Sequence, residues 1–163
     1  MKHRRAHDTI LSVGINDTDG FFSGVNERAR DYAAEHAGEQ WPDISDTTRE
    51  EIRDIIKNAF SYKMSFDEVV ARIQNAGMFS TARAEMIATT ETNNAMVRGQ
   101  FDAWKRAGFV TKVKWLCARN PCPLCKANAD QVRNLGDAFP SGDVAPLAHP
   151  CCECILQAVE FKA

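Results

Sequence analysis

The first 116 residues of this 163-residue chain contain no cysteine; all six cysteines fall between positions 117 and 154. Thiol chemistry is therefore absent from the front of the chain and concentrated in one stretch near its end. No apolar run is long enough to span a bilayer. No apolar signal segment follows the Met-Lys-His-Arg-Arg start. There is no internal repeat and no low-complexity tract. Charge of one sign is also lacking: 20 Lys and Arg stand against 22 Asp and Glu, so the net charge of −2 implies no obligate polyanion partner. The length fits one domain, or one domain with an appendage. Reduced cysteines in this number imply synthesis in a cytoplasm, and the same argument disfavours a disulfide framework.

The pattern predicts an α+β chain: a mainly helical N-terminal part followed by a small C-terminal β-rich, zinc-binding module. The expected divisions are 1–44, a hard-to-read segment with one helix; 45–109, a helical domain ending in a long helix; and 110–163, the module. The start is basic through His7, and residues 17–20 read as a turn. Helix-favouring residues run from Val25 to about Gln40, with Gly38 as the stop. Thr47 and Glu50 form an expected capping box for a helix carrying Ile52, Ile55, Ile56, Ala59 and Phe60 on one stripe. Ser65 and Glu68 form a second box, opening a helix that buries Val69, Val70 and Ile73 and stops at Gly77. A long helix follows from about Thr81 to Ala107, stopped by Gly108, with Ala82, Met86, Ile87, Thr90, Ala95, Val97, Phe101 and Trp104 as its apolar positions. Six consecutive polar residues, Thr89 to Asn94, interrupt it. They read either as an exposed or kinked turn, or as a hydrogen-bonded contact with Glu91 buried against a basic group. Residues 110–116 alternate as a strand, with Val113 and Trp115 inward and Lys112 and Lys114 outward. A short strand and turn at 130–137 and a closing strand at 152–161 complete the expectation.

The cysteines have metal-ligand spacing. Cys122 and Cys125 flank Pro123 and Leu124, a knuckle whose two thiolates can face one ion. A second cluster, His-Pro-Cys-Cys-Glu-Cys at 149–154, returns from a distant part of the chain. In extended backbone Cys152 and Cys154 share a face and Cys151 takes the other. His149, held extended before Pro150, is either a ligand or a group that orients a thiolate. The candidate metal ligands are thus Cys122, Cys125, His149, Cys152 and Cys154, with zinc as the expected ion. This many soft donors indicates a closed, structural site rather than a catalytic one with an open position. Cys117 and Cys151 have no assigned place.

Between Arg98 and Arg133, eight basic residues stand against two acidic ones. Lys105, Arg106, Lys112 and Lys114 are candidate nucleic-acid contacts, with Trp104 and Trp115 as stacking groups; the plainer reading is a solvated helix face. An enzyme would need Glu91 with His3, His7, His36 or His149 as acid and base. Nothing in the sequence brings these together, and no catalytic residue is assigned.

Taken in order, these features resemble the phage Mu F-like minor head protein family, also called phage head morphogenesis proteins. The resemblance covers roughly residues 47–157. It rests on Thr90 and Glu91, the helix ending in Gly108, Trp115, Cys-Pro-Leu-Cys at 122–125, Phe139, and His-Pro-x-Cys-x-Cys at 149–154. It implies a non-enzymatic virion protein present in few copies, made in the host cytoplasm. Its implied partners are the portal protein and the capsid or scaffold, and it would assist procapsid assembly and DNA packaging or delivery. No membrane and no small-molecule substrate are implied. Thr90 and Glu91 match the family's Thr-Glu pair, Trp115 its tryptophan, and the five metal-ligand candidates its cysteine-histidine set. Thr89 stands where the family often has arginine, so Glu91 is expected to find Arg83, Arg98 or a backbone partner instead. Family members are often longer at the front, so the chain reads as a short member or a fragment.

Overall fold

The computed structural model describes residues 21–147 and 149–163, with side chains from Val25 onward. The expected basic start and the turn at 17–20 lie outside these residues. Among them the fold is α+β: five helices and a small antiparallel sheet of three strands. The elements are α1 (Phe21–His36), α2 (Asp46–Tyr62), α3 (Phe66–Gly77), α4 (Thr81–Ala107), β1 (Val110–Leu116), α5 (Pro123–Asn128), β2 (Val132–Asn134) and β3 (Ile155–Phe161).

The helix boundaries follow capping chemistry. Ser65 and Glu68 form the expected reciprocal box at the start of α3. Ser80 caps α4, and Gly108 ends it in the left-handed conformation. The cap of α2 differs from expectation. Ser45, not Thr47, is its cap, accepting from the Thr48 N–H at 3.2 Å. Ser45 directly follows Ile44, which is buried in the core, and the chain enters the helix two residues before the Thr47 box could act. The third helix, α3, ends at Gly77 as expected, but Gly77 is not its left-handed cap. The left-handed residue is Met78, and Gly77 is small because a Cβ there would collide with the Phe79 ring.

Two hydrophobic clusters share α4. The first holds Ala29 and Ala33 of α1 and Ala37 just after it, with Trp41, Ile44, Ile52 and Ile56, the Val69, Val70 and Ile73 stripe, and Ala84, Ile87, Ala88 and Ala95 of α4. The second begins two residues later, with Val97, Phe101 and Trp104 of α4, and continues through Val110, Val113, Trp115, Phe139, Leu156 and three of the cysteines. Ala82 and Met86, expected on the buried stripe of α4, are exposed; Ala84 and Ala88 take that face.

Along α1, small residues at four-residue spacing let its backbone approach α4 closely. A Cβ at Gly99 would stand 2.7 Å from the Ala29 nitrogen and 2.8 Å from the Val25 carbonyl oxygen. Backbone cannot yield as a flexible side chain does. Gly99→Ala is therefore expected to destabilise the chain by about 2 kcal/mol despite the better helix propensity of alanine, as urea unfolding would measure.

The sheet order is β2-β1-β3, with β1 central and antiparallel to both neighbours. Val113 and Trp115 are fully buried, as their alternation requires. The expected closing strand at 152–161 begins only at Ile155. Residues 149–152 form a turn instead, with Cys151 at φ 64° and the Cys152 N–H donating to the His149 carbonyl at 3.3 Å.

Candidate metal centre

Two backbone devices bring the cysteines together. Cys122 is the N-cap of α5, its sulfur accepting from the Cys125 N–H, and Pro123 occupies the first turn, where its missing donor costs nothing. The expected knuckle is thus the first turn of a helix. The turn at 149–152 then delivers His149, Cys152 and Cys154 from the other side.

The donor atoms form two triads that share Cys125: Cys122, Cys125 and His149, and Cys125, Cys152 and Cys154. Within each triad all donors lie within 4.8 Å of one another. The Cys125 and Cys152 sulfurs are 3.7 Å apart. With metal–sulfur bonds of about 2.3 Å, two sulfurs on a tetrahedral ion stand about 3.75 Å apart, so this pair already has the spacing of a tetrahedral edge. His149 Nε2 lies 3.0 Å from the Cys122 sulfur and 3.3 Å from that of Cys125, slightly inside the corresponding edge of about 3.6 Å. Cys125, Cys152 and Cys154 are buried; Cys122 and His149 are half-buried. The donor set fits a metal ion, and Cys122, Cys125, His149, Cys152 and Cys154 could hold one.

The imidazole is prepared as a ligand. His149 Nδ1 is 2.7 Å from the Pro150 carbonyl oxygen. A carbonyl only accepts, so Nδ1 carries the proton and Nε2, which faces the sulfurs, keeps its lone pair in the neutral ring. This favours the ligand role for His149 over the orienting one left open by the sequence.

Charge within the cluster is uneven. The Cys154 thiol is lowered to about 5, first by hydrogen bonding from Cys152 and against the opposing effect of burial, with help from the Ala118 N–H, the Trp115 indole and Cys125. The Trp115 indole N–H, buried without a well-aligned partner, contributes by proximity to that sulfur. Cys152 is pushed up, chiefly because it donates to Cys154. Burial is the main cause that pushes Cys125 up to about 12. The Cys125 N–H holds Cys122 below the ordinary thiol value. Hydrogen bonding within the cluster, with burial at Cys125, thus favours the thiolate at Cys154 and protons at Cys125 and Cys152. An ion would displace those protons, so its affinity falls with falling pH.

Cys117, unplaced by the sequence, sits at the edge of this cluster. Its thiol donates to the Cys125 carbonyl at 3.1 Å, and burial together with nearby Cys154 pushes it up to about 11. Cys151 is exposed.

The polar stretch of α4 is neither exposed nor a kink. Thr90, Glu91, Asn93 and Asn94 are all buried within a continuous helix. Glu91 is not paired with a basic residue. Its Oε1 accepts from the Trp41 indole N–H at 2.7 Å, and the Gly38 N–H also donates to the carboxylate. Arg83, a proposed partner, is bound to Asp43 at 2.7 Å and lies over the Trp41 ring. Thr90 and Asn93 face the other way, toward the cysteine loop: the Cys151 N–H donates to Thr90 Oγ1 at 3.0 Å, and Asn93 Nδ2 donates to the Cys152 carbonyl at 3.2 Å. Sequence reasoning passed over Asn93 and Trp41. Asn93 had a signal, since it stands three residues after Thr90 and shares its helix face. Trp41, 50 residues from Glu91, had none.

The nucleic-acid candidates are partly neutralised. Lys112 pairs with Glu160 at 2.8 Å and Lys114 with Asp130 at 2.9 Å. Lys105 and Arg106 are exposed in the last turn of α4, where positive charge complements the helix dipole. His36 lies near Glu35 and Glu39; His3 and His7 lie outside the described residues. No described helix is long and apolar enough to cross a membrane.

No family model, curated protein or solved structure matches this chain.

Proposed function

We propose that the chain is a phage minor head protein whose C-terminal sheet is closed by a structural zinc ion. In this reading it associates with the portal vertex inside the capsid and assists procapsid assembly and the packaging or delivery of DNA. The observation that carries the reading is the convergence of Cys122, Cys125, His149, Cys152 and Cys154 at one place, since these residues carry the most specific part of the family resemblance. Buried thiolates with a neutral imidazole suit zinc: soft donors select against magnesium, calcium and manganese, and a Cys-x2-Cys turn with a returning ligand pair is typical of tetrahedral structural sites. Five donors leave no evident open coordination position, so the ion's role is architectural. The chain would be made in the host cytoplasm and end in the virion, with the portal protein and the capsid or scaffold as partners. Lys112 and Lys114 lie in ion pairs with carboxylates, and this reading rests on the metal cluster rather than on DNA contact.

The test is co-expression with the portal and major capsid proteins of the genome that encodes the chain. A few copies per purified procapsid, lost when the portal protein is omitted, are expected. Procapsids that form with portal and lack the chain would overturn the assignment.

A further inference from the structure

We infer that Thr90 and Asn93 are positioning residues for the metal centre: from one face of α4 they hold the turn at 149–152 so that His149 and Cys152 are presented to Cys125 together. This inference rests on the metal-binding reading above and goes beyond it, because neither side chain is a ligand.

Thr90 is fully buried and its hydroxyl is fully committed. It donates to the Met86 carbonyl at 2.8 Å, which turns a lone pair toward the Cys151 N–H at 3.0 Å. Asn93 is 8% exposed and takes the Cys152 carbonyl at 3.2 Å. An N–H on one residue and a C=O on the next are therefore both tied to side chains one helical turn apart. Among the described residues, these are the hydrogen bonds that join the turn to α4. They matter because the turn has no strand partner; β3 begins only at Ile155. Cys151 is held at φ 64°, a conformation unfavourable for a side chain with a Cβ, and its N–H is the group that Thr90 receives. With the turn fixed, the ligands on its two ends reach the Cys122 and Cys125 sulfurs already spaced for an ion. Without it, binding would have to order the turn first. Because α4 also belongs to the first hydrophobic cluster, the tie couples the metal centre to the helical body.

The test is zinc and cobalt affinity of the full chain, measured by competition with a chromogenic chelator, together with the cobalt absorption spectrum. Thr90→Val keeps the shape and removes the hydroxyl; it is expected to weaken zinc binding about ten- to a hundredfold. Asn93→Ala, which leaves the Thr90 contact in place, is expected to weaken it in the same direction. Thr90→Ser restores the hydroxyl and should bind as the native chain does. Thr92→Val is the control: its hydroxyl is buried without a partner on the same helix, and affinity should not change. A thiolate charge-transfer band that persists at saturation in the weakened variants shows that the ligands are unaltered. Folded Thr90→Val and Asn93→Ala proteins with native affinity would overturn the positioning role. A native chain that binds neither metal would overturn the metal reading itself, which is a different result. Should Thr90→Val not fold, the Asn93→Ala and Thr90→Ser affinities decide.

Discussion

Cys125→Ser is expected to abolish metal binding and to melt the sheet while the first helical cluster survives. Cys125 is the one donor common to both triads, so its loss takes a sulfur from each. In small thiolate-rich sites zinc contributes about 10–16 kcal/mol to folding, as much as the net stability of a whole domain, roughly 5–15 kcal/mol. The sheet itself is small, since β2 is three residues long, and three of the thirteen buried members of the second cluster are cysteines. The loss should not stop at the sheet. Val97, Phe101 and Trp104 pack in the same cluster, so the second half of α4 should lose protection with it. Amide exchange is the appropriate probe, with β1, β3 and residues 97–107 exchanging fast while α2 and α3 remain protected. Cys151→Ser, at an exposed position, should leave all of this unchanged. Loss of protection throughout α1, α2 and α3 in Cys125→Ser would contradict the division into two clusters.

Trp41→Phe is expected to destabilise the chain by about 3 kcal/mol at neutral pH. The indole N–H is a charge-assisted donor to Glu91, a carboxylate only 2% exposed, and phenylalanine leaves that charge with little more than the Gly38 N–H. The pH dependence distinguishes this cause from simple loss of packing. Burial, the dominant influence, raises the Glu91 carboxyl above its ordinary value of 4.5, with the Trp41 and Gly38 hydrogen bonds acting in the opposite direction. The folded chain therefore binds this proton more tightly than the unfolded chain. The resulting stability is fully present below the ordinary carboxyl value and is lost as pH rises through the raised one. Trp41→Phe removes a lowering influence and should raise that value further, so its penalty shrinks on acidification. Glu91→Gln removes the titration and keeps one oxygen that can accept from the Trp41 N–H. Its stability should be flatter with pH across the same window. Urea unfolding of the three proteins at matched pH and metal concentration measures this. A Trp41→Phe penalty that does not shrink as pH falls through the raised carboxyl value would contradict it.

Elements specified by neighbouring residues were readable from the sequence. The Ser65 and Glu68 box, the Gly108 stop and the alternation around Val113 and Trp115 each depend on contacts within a few residues, and each is present. The expected Thr47 box gave way to a Ser45 cap beside the buried Ile44, and burial is not a local property. The five metal-ligand candidates were legible because cysteine and histidine at such spacing have few other uses in a reduced chain. Their supports were not. Thr90 meets Cys151 across 61 residues, and Asn93 meets Cys152 across 59. The polar stretch of α4 was visible as an anomaly, but only the packing shows that one of its faces holds Trp41 and the other the cysteine turn. Cys117 carried no spacing signal and joins the cluster only because β1 ends beside it.

The central claim is that a metal ion closes the C-terminal sheet. Native mass spectrometry of the chain purified without chelator or added metal, with a parallel count of free thiols, tests it most directly. One zinc ion per chain and no disulfide bonds are predicted. A metal-free chain carrying three disulfides would contradict the claim and remove the basis for the architectural role of the cluster.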